Sequence, residues 1–198
     1  MPFWLRRQTS AVYALACKMN HSCRPNCHTA SSRSFSCKTV HALRPIGAGE
    51  EITVSYAEAG CARTERRAAL EAKFGFACAC PLCELRGADL EASDGRQRRL
   101  AALVGTLGGL ADADPRLEAL VEERGRLLKA EGLPPEWGFH EMFRAFMHCH
   151  KCGGVDDSDV ARADGWLRRA LAAATTILGH DSKVVAEFRS IAEMRGCA

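Results

Sequence analysis

The sequence lacks the features that mark two large classes of protein. No apolar run approaches the roughly 20 residues of a membrane-spanning helix, so no membrane span is expected. The formal net charge at pH 7 is only +3. Proteins that bind nucleic acid usually concentrate many basic residues on one face, so this weak charge argues against direct contact with nucleic acid.

Secretion is also not expected, although cysteine is abundant, with eleven in 198 residues. A disulfide-rich secreted protein uses its cysteines in pairs, and eleven is an odd number. The apolar stretch at residues 11–16 is too short for a signal peptide. We therefore expect a reducing compartment, the nucleus, the cytoplasm or both, where clustered cysteines indicate metal binding or catalysis.

Composition divides the chain into three parts. Residues 1–57 predict strands and loops, with β-forming runs at 34–42 and 52–56. Residues 58–87 contain one short helix and a cysteine cluster. Residues 88–198 predict helices, so the chain as a whole is expected to be α+β.

The short helix of the second part has recognisable signals at both ends. Thr64 can cap its first turn, and Gly75 can end it. Leu70 and Phe74 are four positions apart, which places them on one face of the helix.

Apolar residues recur at helical spacing from about residue 94 to the end of the chain. Breaks at residues 134–135 and 153–154 divide this region. The pattern predicts antiparallel helices packed in pairs, similar to an α-solenoid. The strongest stripe is Trp166, Leu167, Ala170, Leu171, Ala174, Ile177 and Leu178.

Three cysteines, Cys78, Cys80 and Cys83, lie within six residues. A structural zinc ion takes four tetrahedral ligands, and neighbouring thiols supply several of them at little cost in chain entropy. A fourth ligand must come from elsewhere. The spacing leaves four candidates, which are Cys23, Cys27, Cys61 and Cys37.

Two further motifs carry chemistry that the residues alone do not define. Residues 20–26 read NHSCRPN, a polar loop in which His21 could be a base, a metal ligand or an ordinary hydrogen-bonding residue. Residues 49–52 read GEEI and are followed by Tyr56, which predicts a turn that enters a strand ending in tyrosine.

Taken in order, these three motifs resemble the signature of SET-domain protein lysine methyltransferases. The short CxCxxC at residues 78–83 and the helical region after it resemble the SET-and-MYND (SMYD) branch of that family. The resemblance covers residues from about 14 to 83. It implies the C-terminal part of a β-rich SET domain at 1–57, a zinc-binding post-SET segment at 58–87 and an all-α, TPR-like region at 88–198.

The resemblance also implies a cofactor and a catalytic residue. Asn20 and His21 would hold S-adenosylmethionine, and Phe76 would stack on its adenine ring. Tyr56 would line the channel through which a lysine amine reaches the methyl group. The partner would be a protein substrate that presents a lysine, either a histone or another protein.

For the cysteine cluster, the resemblance implies one of the four candidate ligands. Cys23 would complete a structural zinc site beside the three clustered cysteines, Cys78, Cys80 and Cys83. Four thiolates leave no open position on the metal, so this zinc would not take part in chemistry.

Two departures from the family pattern leave enzymatic activity open. No glycine-rich cofactor loop precedes the NHSC motif, and residues 1–9 resemble no part of the N-terminal half of a SET domain. Phe74 lies where several members of the family carry a tyrosine. We therefore expect a methyltransferase fragment with impaired activity, and the alternative is a non-catalytic, zinc-stapled protein–protein interaction module.

A last cysteine motif lies in the helical region, where residues 148–152 read HCHKC. No second cysteine pair follows this one. Because zinc sites of this kind need four ligands, we expect the end of a helix with incidental Cys149 and Cys152.

Overall fold

The computed structural model describes residues 12–32, 37–57, 59–152 and 156–197. Within these ranges the chain is α+β, with four short strands followed by six α-helices. The expectations for residues 1–9, for the first part of the run 34–42 and for the break at 153–154 lie outside the described residues. No helix within the described residues has the length and apolar character that crossing a bilayer requires.

The strands form two separate two-stranded sheets. Strand β1 (Asn20–His21) pairs in parallel with β4 (Thr53–Val54). Strand β2 (Cys27–Ser32) pairs antiparallel with β3 (Cys37–Ala42). The run at 52–56 thus contributes only two residues to a strand, because its partner β1 is itself only two residues long and the chain turns away after it.

The six helices account for most of the described chain, and consecutive helices from the second to the sixth contact one another. Their bounds are α1 Arg63–Phe74, α2 Gly87–Gly109, α3 Leu117–Ala130, α4 Phe139–Cys152, α5 Asp157–Leu178 and α6 Lys183–Met194.

Helix α1 is capped by carboxylates, and not by the predicted threonine. Its N-cap residue is Ala62, whose backbone N–H donates to Glu65 Oε2 at 2.9 Å. The N–H of Arg63 donates to Asp94 Oδ1 on α2 at 2.7 Å. Thr64 lies inside the helix, so the prediction that it caps the first turn was wrong. A carboxylate from another helix replaces it, which no local pattern could indicate.

The C-terminal end of α1 matches the prediction. Gly75 follows the helix with φ of 74°, and its N–H donates to Glu71 O at 2.9 Å. Leu70 is buried, whereas Phe74 in the last turn is 44% exposed. The face that these two residues share therefore passes from the interior to the surface, and it carries Phe74 toward the site described below.

The main core lies among the helices from α2 to α6. Helix α5 contributes the buried side of its apolar stripe to this core, including Trp166, Leu167 and Ala170. Each large apolar side chain buried in this way contributes about 1.5–3 kcal/mol to folding. The predicted stripe is confirmed, except that Leu171 and Leu178 are only partly buried.

Glu131 joins the first part of the chain to the helices through its side chain and its backbone carbonyl. Glu131 is 0% exposed and accepts hydrogen bonds from Ser93 Oγ at 2.8 Å and Gln97 Nε2 at 3.0 Å. Its oxygens also pair with Arg96 Nε at 2.5 Å. The backbone carbonyl of Glu131 accepts from Arg24 Nε at 2.6 Å, so the NHSCRPN loop is fixed to the end of α3.

Candidate functional site

Four cysteine sulfurs meet between the NHSCRPN loop and the segment after α1. The Sγ atoms of Cys23, Cys78, Cys80 and Cys83 all lie within 4.8 Å of one another. The Cys23 and Cys83 sulfurs are 3.6 Å apart. A tetrahedral zinc ion with Zn–S bonds of about 2.3 Å needs sulfurs about 3.8 Å apart, so this group could hold zinc.

Of the four candidates that the spacing left open, the structure selects one. Cys23 joins the cluster, whereas Cys27 and Cys37 lie on the β2–β3 hairpin and Cys61 precedes α1. Three of the clustered cysteines are buried, and Cys80 is partly exposed. Among the residues that the structure describes, no other group of His, Cys, Asp and Glu has this arrangement.

A tight turn and an apolar surround position the cluster. The N–H groups of Cys83 and Glu84 both donate to the carbonyl of Cys80, at 2.8 and 3.0 Å. Leu70 of α1 and Leu82 are buried against the sulfurs. The surround removes water from the thiols, and the turn brings two of them close together.

The thiols of the cluster affect one another's ionisation. Hydrogen bonds from Cys23 and Cys83 hold the pKa of the Cys80 thiol far below its usual range. The pKa of Cys23 is strongly raised, first by its hydrogen bond with Cys80. Burial raises the pKa of Cys78 to about 11. Since the ionisation of one thiol opposes that of its neighbours, all four can be thiolates together only around a positive ion.

His21 links the cluster to Tyr56. Its Nδ1 accepts a hydrogen bond from the Tyr56 backbone N–H at 2.9 Å, and its Nε2 lies 3.3 Å from Cys23 Sγ. Because Nδ1 must be the acceptor, the ring proton is on Nε2 and faces the sulfur. Burial lowers the pKa of His21, which favours this neutral form. Both ring nitrogens are engaged, so of the three roles open to His21 the hydrogen-bonding one fits best.

Asn20 and Asn26 fix the two ends of the NHSCRPN loop. The Asn20 side chain is exposed and donates to Glu51 Oε1 at 2.6 Å. Asn26 is 2% exposed, and its Nδ2 donates to the Glu51 carbonyl at 2.8 Å while its Oδ1 accepts from the Thr53 N–H at 2.8 Å. Asn26 therefore anchors the loop to the GEEI segment. The motif contains Asn26 but does not predict this anchoring role.

Three aromatic rings gather on the other side of His21. The ring centroids of Tyr56 and Phe74 are 4.9 Å apart, and those of Tyr56 and Phe76 are 6.5 Å apart. The ring of His21 lies 6.1 Å from that of Phe76. The Tyr56 hydroxyl donates its proton to the carbonyl of Met19. Phe74 has no hydroxyl, so Tyr56 brings the one phenolic oxygen of this aromatic group.

The HCHKC motif forms the last turn of α4, as expected. Cys149 is buried in the helical core, whereas Cys152 is exposed. His148 Nδ1 lies 2.9 Å from the Asp112 carbonyl oxygen, and His150 Nδ1 lies 3.3 Å from Arg195 Nη1. These side chains do not converge on one point, so within the described chain this motif forms no second metal cluster.

Comparison with known proteins shows which family the chain resembles. Residues 5–57 match the family model of the SET domain. Histone-lysine N-methyltransferase set5 of Schizosaccharomyces pombe is 31% identical over 175 residues, which cover 87% of this chain and 53% of that protein. Mouse histone-lysine N-methyltransferase SMYD3 is 31% identical over 87 residues, or 44% of this chain and 20% of SMYD3. Chicken protein-lysine N-trimethyltransferase SMYD5 is 35% identical over 85 residues, or 40% of this chain and 20% of SMYD5.

The first part of the chain therefore resembles the SET domain over residues 5–57, and its likeness to the SMYD branch is confirmed. The match begins at residue 5, earlier than the residue 14 that the motifs indicated. Residues 5–9, for which the sequence predicts no likeness to the N-terminal half of a SET domain, are included in the SET-domain match. The chain spans about half the length of set5 and about a fifth of SMYD3 and SMYD5.

Proposed function

We propose that this chain is part of an S-adenosylmethionine-dependent protein lysine N-methyltransferase with a structural zinc site. The observation that carries the proposal is the double engagement of His21. One ring nitrogen faces the sulfur of Cys23, and the other holds the backbone of Tyr56. The zinc ligand, the NHSC loop and the tyrosine of the GEEI segment thus meet at one residue. A binding module that lacks a cofactor has no need of this arrangement.

The cofactor would lie against the NHSC loop. Asn20 and His21 would hold S-adenosylmethionine through their main chain, and the partly buried ring of Phe76 would stack on the adenine. An aromatic face suits any base, because every base offers a π-surface. When bound, this cofactor supplies the methyl group that is transferred to the lysine.

Tyr56 would aim the lysine amine. Its hydroxyl proton is already committed to the carbonyl of Met19, so the phenolic oxygen can only accept a hydrogen bond from the amine. This contact would fix the direction of the nitrogen lone pair, and orientation of this kind is a large part of catalysis. Lysine is charged in water at neutral pH, and the apolar faces of Phe74 and Phe76 would favour its neutral, nucleophilic form by desolvation.

Zinc held by Cys23, Cys78, Cys80 and Cys83 would have a structural role, because four thiolates complete its coordination. It would fix the segment after α1 to the NHSC loop and so hold Phe76 beside His21. The substrate would be a lysine of a histone or another protein, since the relatives are named for both classes. Such substrates place the protein in the nucleus or the cytoplasm.

We further propose low activity for the chain by itself. Asn20 is exposed and Phe74 is 44% exposed, so the aromatic group is open on one side within the described residues. An open site admits water and orients its ligands weakly. The alternative, a zinc-stapled interaction module, rests on the same openness. The domain boundaries at residues 57 and 87 are also part of the proposal. Helix α5 contacts β2 and β3, so the helical region packs against the first part of the chain.

Calorimetric titration of S-adenosylmethionine into the zinc-loaded chain tests the proposal, with Phe76→Ala beside the wild type. Loss of one base-stacking contact is expected to weaken binding by about 10- to 100-fold. Val104→Ala is the matched control, because Val104 is an apolar residue of α2 with 48% exposure. Zinc content is measured in each sample, since Phe76 also packs against the cysteine cluster.

The two outcomes separate the two functions. Binding that weakens in Phe76→Ala but not in Val104→Ala supports a cofactor site and justifies lysine methylation assays. No heat from a folded, zinc-bound wild type at millimolar cofactor would rule out catalysis by this chain. The interaction module would then be the better description.

A further inference from the structure

Helix α1 buries one arginine beside the cysteine cluster. Arg66 is only 3% exposed, whereas Arg67 at the next position is partly exposed. Arg66 lies one turn before the buried Leu70, on the face that packs against the sulfurs. Burial of a guanidinium group is costly unless an opposite charge and hydrogen-bond acceptors surround it.

The hydrogen bonds of Arg66 are incomplete. Its Nη1 donates to the carbonyl of Cys61, but its Nε and Nη2 are buried without a hydrogen-bond partner of ordinary geometry. Among the described residues, no carboxylate forms an ion pair with Arg66. Arg96, Arg99 and Arg195, by contrast, each have a carboxylate oxygen within 4 Å. Within the described ranges, the positive charge of Arg66 is thus not balanced by an Asp or Glu side chain.

No external anion can provide this balance. Arg66 and Cys23 line the same internal cavity, whose volume of about 10 Å³ is at the lower limit for a single water molecule. The other polar side chains that line it, from Ser55, Gln97 and Trp137, are uncharged. Of the described groups that line the cavity, the sulfur of Cys23 is the one that can become negative.

The cluster offers the charge that Arg66 lacks. Arg66 lines the same cavity as Cys23, and Leu70, one turn further along α1, is buried against the sulfurs. Four thiolates around one Zn²⁺ ion carry a net charge of minus two, since four negative charges meet two positive ones. One guanidinium halves that excess in a region that water does not reach.

We propose that Arg66 is the counter-charge of the zinc–thiolate centre. Its free N–H groups donate to the sulfurs of Cys23 and Cys83. This inference rests on the zinc site of the proposed function and adds to it a positioning residue that no motif contains. Arg66 raises the affinity for the metal, because it stabilises the ionised thiols. It also lowers the energy of the sulfur lone pairs, because each N–H···S bond withdraws electron density.

Cobalt(II) is the probe, since it replaces zinc and reports its sulfur ligands by absorption. Wild type, Arg66→Met and Arg67→Met chains are titrated with Co²⁺, and Zn²⁺ affinity is measured by competition with a chromophoric chelator. Methionine keeps the length and apolar stem of arginine and removes only the charged fork. Loss of a hydrogen-bonded partner of a metal ligand typically weakens metal binding by about 10- to 100-fold. We expect that loss in Arg66→Met and none in Arg67→Met.

The absorption spectrum separates this role from a general loss of structure. In Arg66→Met the tetrahedral d–d bands of Co²⁺ are retained, while the sulfur-to-cobalt charge-transfer band moves to longer wavelength. Misfolding would abolish the tetrahedral bands instead. If Arg66→Met does not fold, Arg66→Lys decides, because lysine keeps the charge but loses the planar fork. It is expected to bind metal more weakly than the wild type and to show the same direction of band shift.

Each other outcome overturns a defined claim. Unchanged affinity and an unchanged charge-transfer band in the folded Arg66 variants would rule out the counter-charge and leave the zinc site standing. A wild type without a tetrahedral cobalt spectrum would overturn both the zinc site and the role of Arg66. Equal losses in Arg66→Met and Arg67→Met would show a non-specific effect of charge on α1.

Discussion

The Nδ1 atom of His21 accepts a hydrogen bond from the backbone N–H of Tyr56 at 2.9 Å, across 35 residues of sequence. The same ring presents Nε2 to the sulfur of Cys23 at 3.3 Å. One imidazole thereby satisfies a partly buried backbone donor and contacts a sulfur of the cysteine cluster. The position of the tyrosine in the aromatic group depends on this ring.

His21→Phe keeps the size of the ring and removes both hydrogen bonds. The Tyr56 N–H is left without its acceptor, which is expected to lower the free energy of unfolding by about 1–3 kcal/mol. Urea denaturation of the zinc-loaded chain measures this change. His140→Phe is the control, because His140 is exposed on α4. Equal stability of the two variants would contradict the structural role of His21.

Glu131→Ala should be among the most destabilising substitutions in the chain. It leaves Ser93, Gln97 and Arg96 without their shared acceptor in a site that water does not reach. Breaking a buried ion pair from one side costs about 3–5 kcal/mol, whereas a surface pair contributes about 0–1 kcal/mol. Glu123→Ala, which removes the surface pair with Arg99, is the control. Thermal unfolding of the two variants measures the difference, and similar melting temperatures would refute it.

The stability that Glu50 contributes should depend on pH. Its hydrogen bond with Arg44, aided by Asn26, holds the pKa of that carboxyl at about 2, below its ordinary value of 4.5. Because the pKa is lowered in the folded state, the contribution is complete above pH 4.5 and is lost as the pH falls toward 2. Glu50→Gln should therefore be less stable than the wild type at pH 7, and the gap should narrow below pH 4.5.

Melting temperatures of the two chains between pH 7 and pH 2 measure this gap. Glu71→Gln, at an exposed position of α1, should show no gap at any pH. A difference between Glu50→Gln and the wild type that stays constant across the range would exclude a contribution from the ionised carboxylate.

Removal of zinc should loosen one part of the chain and spare the rest. The cysteine cluster and Leu70 form an apolar cluster separate from the core among α2 to α6. A strong chelator is therefore expected to speed amide hydrogen exchange at residues 76–86 while α4 and α5 keep their protection. Added Co²⁺ should restore the slow exchange. Loss of protection along α5 would show that the metal supports the whole fold.

Much of the fold could be predicted from local sequence patterns. The 3.6-residue stripe of α5 predicted a buried helix because one face of a long helix must pack, and Trp166, Leu167 and Ala170 are buried there. The resemblance to the SET family implied Cys23 as the fourth ligand beside Cys78, Cys80 and Cys83, and the structure brings the Cys23 and Cys83 sulfurs to 3.6 Å. Zinc binding by these cysteines, like the roles of Asn20, Tyr56 and Phe76, remains a prediction.

The rest depends on contacts between distant segments. Thr64 failed as a cap because Asp94 reaches across from α2. Arg66 looks like any arginine in a polar helix, although its spacing of four from Leu70 places it on the buried face. A glutamate such as Glu131 at the end of α3 is usually exposed, yet three donors from α2 enclose it. In each of these three cases a contact between distant segments sets the environment of the residue. Such contacts cannot be predicted from a local stretch of sequence.

The hydrogen bond between Arg24 and the carbonyl of Glu131 ties the NHSC loop to the end of α3. A protein that binds α2 and α3 would then stiffen the loop that faces the proposed cofactor site. By linkage, the cofactor would then strengthen that protein's grip by the same factor. The catalytic and the protein-binding roles would in that case be thermodynamically linked. The affinity for the cofactor, measured with and without the partner protein, would report how strongly the cofactor favours the partner.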